Sequence, residues 1–290
     1  MRRFAPNTSE GLFYLTMETQ KKSDQELAFL RDLYVMPDWG ERFAALLDDN
    51  LELPVKGRLL YVQAGTGGHA MAIQEKLEGD VQMVCVDESE ECLELARAKA
   101  AAVHVETEFR QAPANDLPFD FDDFDITIAD LSLLPPDRVA PVINELVRVT
   151  KPGGTVSATV ITAGSFGEFF SVHWEALAKT GLTDQGVQVD HLITGILTVS
   201  DVEDSAEKAG LVDVVSRTGT EEFEFESGEA FLNSPLITEF LMPPWLEPVP
   251  PAEREKVLTQ LVEIIDEERH ETEFVMTVKA TLVMGKKKRS

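Results

Sequence analysis

At 290 residues the chain is long enough for one large α/β domain, or one domain carrying a sizeable insertion, and two fully independent domains are the weaker expectation. Acidic residues outnumber basic ones 52 to 26; the net charge of −26 repels phosphate backbones, so small molecules or proteins are expected as partners, not nucleic acid. No uncharged apolar run reaches the roughly 18 residues of a membrane span, and no apolar core follows Arg2 and Arg3, so the expectation is a cytoplasmic protein without a membrane partner.

Residues 1–56 read as a helical lead-in, with Leu27, Leu30, Leu33 and Tyr34, then Phe43, Leu46 and Leu47, at helical spacing and Pro37 separating two helices. From Arg58 strands and helices alternate. Strands are expected at 59–64, 81–86, 104–110, 125–129 and 155–161, and helices at 70–77, 90–101 and 138–150. That alternation over 57–161 predicts a parallel sheet wrapped by helices. Beyond it, 162–272 reads as a cap or insertion: a helix at 166–179, a less regular stretch at 181–198, a short helix at 202–209, strands near 212–217 and 221–225, and helices at 229–241 and 253–269. A terminal strand within 273–285 rejoins the sheet, and 286–290 is a basic tail, expected to be a solvated terminus.

Gly65, Gly67 and Ala70 satisfy GxGxxA between a strand and a helix, where glycines let a ligand approach the backbone and the helix start offers free N–H groups. Asp87 closes the next strand, 22 residues beyond Gly65, where a carboxylate can accept hydrogen bonds from ribose hydroxyls. These features admit either a dinucleotide or S-adenosylmethionine.

Four segments together narrow the choice. They are the glycine loop; Val84-Cys85-Val86-Asp87-Glu88-Ser89 followed by Leu93-Glu94-Leu95-Ala96; the run from Arg110 through Leu117-Pro118-Phe119 to Phe124-Asp125; and Glu145-Leu146-Val147-Arg148-Val149-Thr150-Lys151-Pro152-Gly153-Gly154-Thr155. In this order the chain resembles the class I S-adenosylmethionine-dependent methyltransferases, particularly the small-molecule group that includes the ubiquinone and menaquinone C-methyltransferases. The resemblance implies a Rossmann-like, seven-stranded, mostly parallel sheet with an antiparallel last strand and a helical cap. It further implies S-adenosyl-L-methionine as cofactor. Gly65 and Gly67 would pass beside its methionine half, Asp87 would bind the ribose, Glu88 and Ser89 would flank the adenine, and Ala114 would offer its backbone there.

Three positions depart from the pattern: Tyr61 stands where the family carries a strand-end acid, Gln63 where it carries the first loop glycine, and Pro113 where an acid meets the adenine amino group. Tyr61 and Gln63 are therefore expected to line the cofactor site in altered roles, and a catalytically inactive relative acting in protein interaction or ligand binding is the competing reading. A nicotinamide-dependent oxidoreductase rests on GxGxxA and Asp87 alone.

For catalysis the candidates are Asp130, after the fourth strand, as a polar substrate contact or a turn acid, and His173, beside Trp174, as a base or a packing residue. His69 is either a contact to the cofactor carboxylate or an exposed helix-start residue. Phe166, Phe169, Phe170, Phe223, Phe225, Phe231 and Trp245 read as cap core or as the wall of an apolar acceptor pocket. No metal-ligating pattern accompanies the acids, and Cys85 and Cys92 read as free thiols.

Overall fold

The computed structural model describes residues 22–268 and 273–289; the first 21 residues of the lead-in and His270 lie outside them. Seven strands form one sheet: β1 (Lys56–Val62), β2 (Asp80–Asp87), β3 (Glu108–Gln111), β4 (Phe124–Asp130), β5 (Thr150–Ile161), β6 (Leu211–Phe225) and β7 (Phe274–Lys287). Their order is β3-β2-β1-β4-β5-β7-β6. The first five run parallel, and β7 lies antiparallel between β5 and β6.

The apolar runs of β1 and β2 are buried on both faces, as parallel strands must be when helices cover each side. Alternate residues serve opposite cores. Leu60, Val62, Val84 and Val86 pack with α5 (Pro136–Val149) and α8 (Val199–Lys208). Leu59, Tyr61, Met83 and Cys85 face the side of α2 (Glu41–Asp48) and α3 (Gly68–Lys76). Tyr61 is thereby aimed at two helix ends that carry polar groups.

Several elements differ from the sequence expectation. Pro37 does not separate two helices: α1 (Asp24–Leu30) runs through a π-helical stretch, Arg31–Gly40, into α2, with αR backbone at both junctions. Wide i→i+5 turns have room for the proline ring and its missing N–H. β3 starts at Glu108, because His104 takes a left-handed φ of 56° in the turn after α4 (Glu90–Ala102). Residues 181–198 are more regular than expected and hold α7 (Gly186–Gly195). The two expected strands at 212–225 are one, β6. The proline-rich stretch forms α10 (Met242–Leu246), using prolines in its first turn. The Lys151-Pro152-Gly153-Gly154 turn is absorbed into β5 as an irregularity, the pairing stepping from Phe124↔Thr150 to Ile126↔Thr155. The basic tail is shorter than expected: β7 continues through Lys287, whose ammonium donates to Asp122.

β5 ends opposite Ala280, yet β6 and β7 stay paired up to Phe225↔Phe274. Their ribbon overhangs the carboxyl ends of the parallel strands. On the overhang one aromatic core joins Trp39 and Phe43 of the N-terminal run to α6 (Gly167–Thr180), α9 (Gly228–Asn233), α10 and α11 (Arg254–Glu268). The expected cap aromatics sit in this core, Phe169 stacked on Trp245 at 4.2 Å. They are packing residues there, not pocket walls.

Candidate functional site

Strand order reverses between β1 and β4, and in open α/β sheets the crevice beyond the carboxyl ends at such a point is where ligands bind. Here β1 gives way to the glycine loop. Gln63, Gly65 and Gly67 all have left-handed φ, 59°, 55° and 82°. At Gly67 a Cβ would come within 2.8 Å of the Cβ of Ala96, so close packing on α4 demands glycine. Gln63 takes the same backbone region with a side chain, at a cost on the order of 1 kcal/mol. Asp87 holds the loop from the next strand: its Oδ2 accepts from the Gly65 N–H at 2.6 Å and its Oδ1 from the Ser89 N–H at 3.0 Å.

The N-terminal helical run lies across this loop. Thr66 Oγ1 donates to Asp32 Oδ1 at 2.6 Å, and Lys99 of α4 donates to the same carboxylate oxygen. Arg31 lies over Gly65, where an added Cβ would meet its guanidinium carbon at 3.2 Å. Burial opposes its charge, but Asp87, Cys92 and Asp130 outweigh that, holding the guanidinium pKa above its ordinary value. Further along, buried Trp39 Nε1 donates to Ser132 Oγ at 2.9 Å, just past β4.

On the other side, Tyr61 Oη and His69 Nδ1 are 2.9 Å apart and His69 Nε2 and Asp48 Oδ1 are 3.3 Å apart, with Lys76 on Asp48 Oδ2 at 2.7 Å. Burial pushes the Asp48 carboxyl up, but the bonds from Lys76 and His69 more than reverse this, so it stays ionised. Burial, reinforced by Asp130, Cys85 and Asp48, raises the Tyr61 phenol well above its usual pKa, so Tyr61 is a neutral phenol.

Of the residues proposed from sequence, Tyr61, Gln63 and Asp130 meet in one cleft, joined by Arg31, His69 and Thr159. Gly65 forms the turn under Arg31, and Gly67 backs on α4. Glu88 lies farther along the edge, paired with Arg138 and accepting from the Ala114 N–H at 3.1 Å. Of the Ala114 backbone expected beside an adenine, the N–H is thus engaged by Glu88. Asp130 Oδ1 accepts from the Ser132 N–H at 3.0 Å, so it is a turn acid as well as a cleft residue. His173 is not at the cleft. It is fully buried on α6 beside Phe169, with both ring nitrogens unpartnered, and burial lowers its pKa to about 4. Trp174 faces solvent and reaches Asp190 of α7 at 3.3 Å.

Arg31, Asp32 and Asp48 are site residues that sequence reasoning missed. Nothing in the spacing of 24–50 distinguishes them from other charged positions on a helix surface. The water-accessible space left in the cleft is about 20 Å³, room for one or two waters. With Arg31 across the loop the crevice is nearly closed.

Residues 59–154, about a third of the chain, match a protein-family model described as a methyltransferase domain. The core is a methyltransferase-like domain. Over 103 residues it is 39% identical to the ubiquinone/menaquinone biosynthesis C-methyltransferase UbiE of Geotalea daltonii, covering 34% of this chain and 43% of that protein. An uncharacterised Mycobacterium tuberculosis protein is 28% identical over 164 residues, 52% of this chain and 57% of that one. The chain thus spans about half the length of these relatives.

Among solved structures, the Bacillus subtilis protein YcgJ superposes with a TM-score of 0.57 at 19% identity, covering 86% of this chain and all of that one. A Haemonchus contortus phosphoethanolamine N-methyltransferase solved with S-adenosyl-L-methionine does so at 0.53 and 15% identity, over 94% of this chain and 59% of that one. The methyltransferase-like fold thus reaches well beyond the matched core, into the β6–β7 ribbon.

Proposed function

We propose that this protein transfers a methyl group from S-adenosyl-L-methionine to a small-molecule acceptor. The observation that carries the reading is the Asp87–Gly65 hydrogen bond at the β1–β4 switch point, which clamps the glycine turn to the carboxylate that ends β2. The methyltransferase match over the core and the solved relative holding this cofactor support it. The unpartnered buried donors beside the turn fit a charged, hydrogen-bonding group.

S-adenosylmethionine, when bound, supplies an electrophilic methyl. The chain's part is positioning and exclusion of water, which can account for much of the acceleration in a displacement that needs alignment. On this reading Asp87 would accept from ribose hydroxyls, and Glu88 and Ser89 would flank the adenine. Asp130 extends the cleft toward the acceptor and is the proposed substrate contact. A dedicated base is required only if the acceptor atom loses a proton.

The acidic balance of the chain favours a small acceptor over nucleic acid, and among the described residues no helix is long and apolar enough to cross a membrane. A cytoplasmic site of action belongs to the same proposal. The competing reading, a non-catalytic relative, draws on Arg31 filling the crevice. Calorimetric titration with S-adenosylhomocysteine at up to millimolar concentration separates the two: saturable binding is expected, and no heat or thermal shift rules out the methyltransferase reading.

A further inference from the structure

Among the described residues, no strand pairs with the outer edge of β6, the last strand of the sheet order. At 15 residues it is long for an edge, and an edge of that length leaves a row of backbone groups open to another chain. Which groups these are follows from β7. The carbonyls of Thr277 and Lys279 accept from Phe166 and Thr162 on the β5 side, so odd-numbered residues of β7 turn toward β5 and even-numbered ones toward β6. The register sets Ala280 opposite Gly219 and Leu282 opposite Arg217, so odd-numbered residues of β6 bond to β7. Ser216, Thr218, Thr220 and Glu222 therefore aim their N–H and C=O groups outward. Two guanidinium groups confirm the direction: Arg217 donates to the Ser216 carbonyl at 2.8 Å and Arg42 to the Glu222 carbonyl at 2.9 Å. Between them, exposed Thr218 and Thr220 leave the edge open.

This stretch is complementary to itself. Two copies of β6 related by a two-fold axis run antiparallel, and their outward groups meet only if even-numbered residues face even-numbered ones. With the axis at Gly219, Thr218 faces the partner's Thr220, Ser216 faces the partner's Glu222 and Arg217 faces the partner's Glu221. Symmetry repeats each pair, and cross-strand threonine pairs and opposite charges both stabilise a sheet. Moving the axis to Thr218 or Thr220 loses both ion pairs, and moving it to Arg217 or Glu221 sets like charges opposite each other. Gly219 puts no side chain on the axis. The opposite edge of the sheet, β3, is four residues long and offers no comparable stretch.

We propose that β6 is a self-association edge: two copies of the chain pair residues 216–222 antiparallel about a two-fold axis at Gly219, with Arg217 on the partner's Glu221. On pairing, the Arg217 guanidinium leaves its own Ser216 carbonyl, which then accepts from the backbone N–H of the partner's Glu222. The inference is independent of the cofactor reading. The net charge of −26 on each copy opposes association, so the test is run at about 0.15 M salt, where charges more than about 8 Å apart are largely screened.

Sedimentation velocity from about 1 to about 100 μM should show a monomer–dimer equilibrium. Thr218→Pro removes an outward N–H and no bond to β7, so thermal unfolding should show the fold retained while dimer affinity falls at least about tenfold. Arg217→Glu and Glu221→Arg should each weaken self-association roughly tenfold, because like charges then face each other, and an equimolar mixture of the two should form a heterodimer of wild-type affinity. Structural damage in either variant cannot produce that rescue. If Thr218→Pro does not fold, the mixture alone decides. A wild-type chain that stays monomeric throughout the range, a dimer that folded Thr218→Pro leaves intact, or a mixture without rescue overturns the pairing.

Discussion

The indole N–H of Trp39 donates a 2.9 Å hydrogen bond to the hydroxyl of Ser132, and both side chains are buried. The bond fastens the N-terminal helical run to the loop after β4, across the mouth of the crevice. Trp39→Phe should cost roughly 1–2 kcal/mol, from the lost bond and the smaller ring, and Ser132→Ala roughly 1–3 kcal/mol because it leaves the indole donor unpaired. Urea unfolding of the two single variants and the double variant measures the coupling. A double-variant loss equal to the sum of the single losses would mean that the bond does not join the elements.

His173 is buried without a hydrogen-bond partner, and its folded pKa is lowered to about 4 by burial. In the unfolded chain an ordinary histidine titrates near 6.5. Above that value neither state is protonated and stability is full. Between about 6.5 and about 4 only the unfolded state binds the proton, so stability falls as pH falls, by on the order of 3 kcal/mol, and levels off below. His173→Leu should remove this dependence and raise stability near neutral pH by about 1 kcal/mol. Unfolding free energies of the two proteins should therefore diverge on acidification from pH 7 to pH 4. Parallel curves would place the imidazole in contact with water.

Asp87 accepts from two backbone N–H groups and is itself buried. Asp87→Ala should therefore destabilise the ligand-free chain by roughly 2–4 kcal/mol, since bonds to an ionised acceptor are worth about 1.5–3 kcal/mol each and the local backbone relaxes toward water. Thermal unfolding checks this before any binding experiment. A variant as stable as the wild type would mean that Asp87 serves ligand alone.

Gln63 carries left-handed strain, and such strain concentrates at functional sites. Gln63→Gly should raise stability by up to about 1 kcal/mol. Denaturant unfolding tests this, and a destabilised variant would show that the glutamine side chain contributes more by packing than its backbone costs.

The alternation from Arg58 to Ile161 was legible because each buried parallel strand is a short apolar run bounded by turn residues, and amphipathic helices separate them. Asp87 and the glycine turn were legible because a tight strand-to-helix turn needs left-handed residues. Pro37 misled the reading because local rules expect a break, whereas packing of Trp39 and Phe43 into the aromatic core holds the run continuous. From its place after the fifth strand His173 admits a base or a packing residue, and packing is what the structure shows, because the direction of its side chain on α6 depends on which face α11 covers.

The sequence by itself determined the order of the elements, the Rossmann-like core and the position of the turn, because these follow from short-range periodicity and backbone sterics. Only the tertiary structure decided what stands in the crevice. Arg31 and Asp48 reach it from helices separated from the loop in the chain. Their meeting with Gln63, Tyr61 and His69 depends on how those helices dock, and docking is set by the whole buried surface, which no local window of sequence contains.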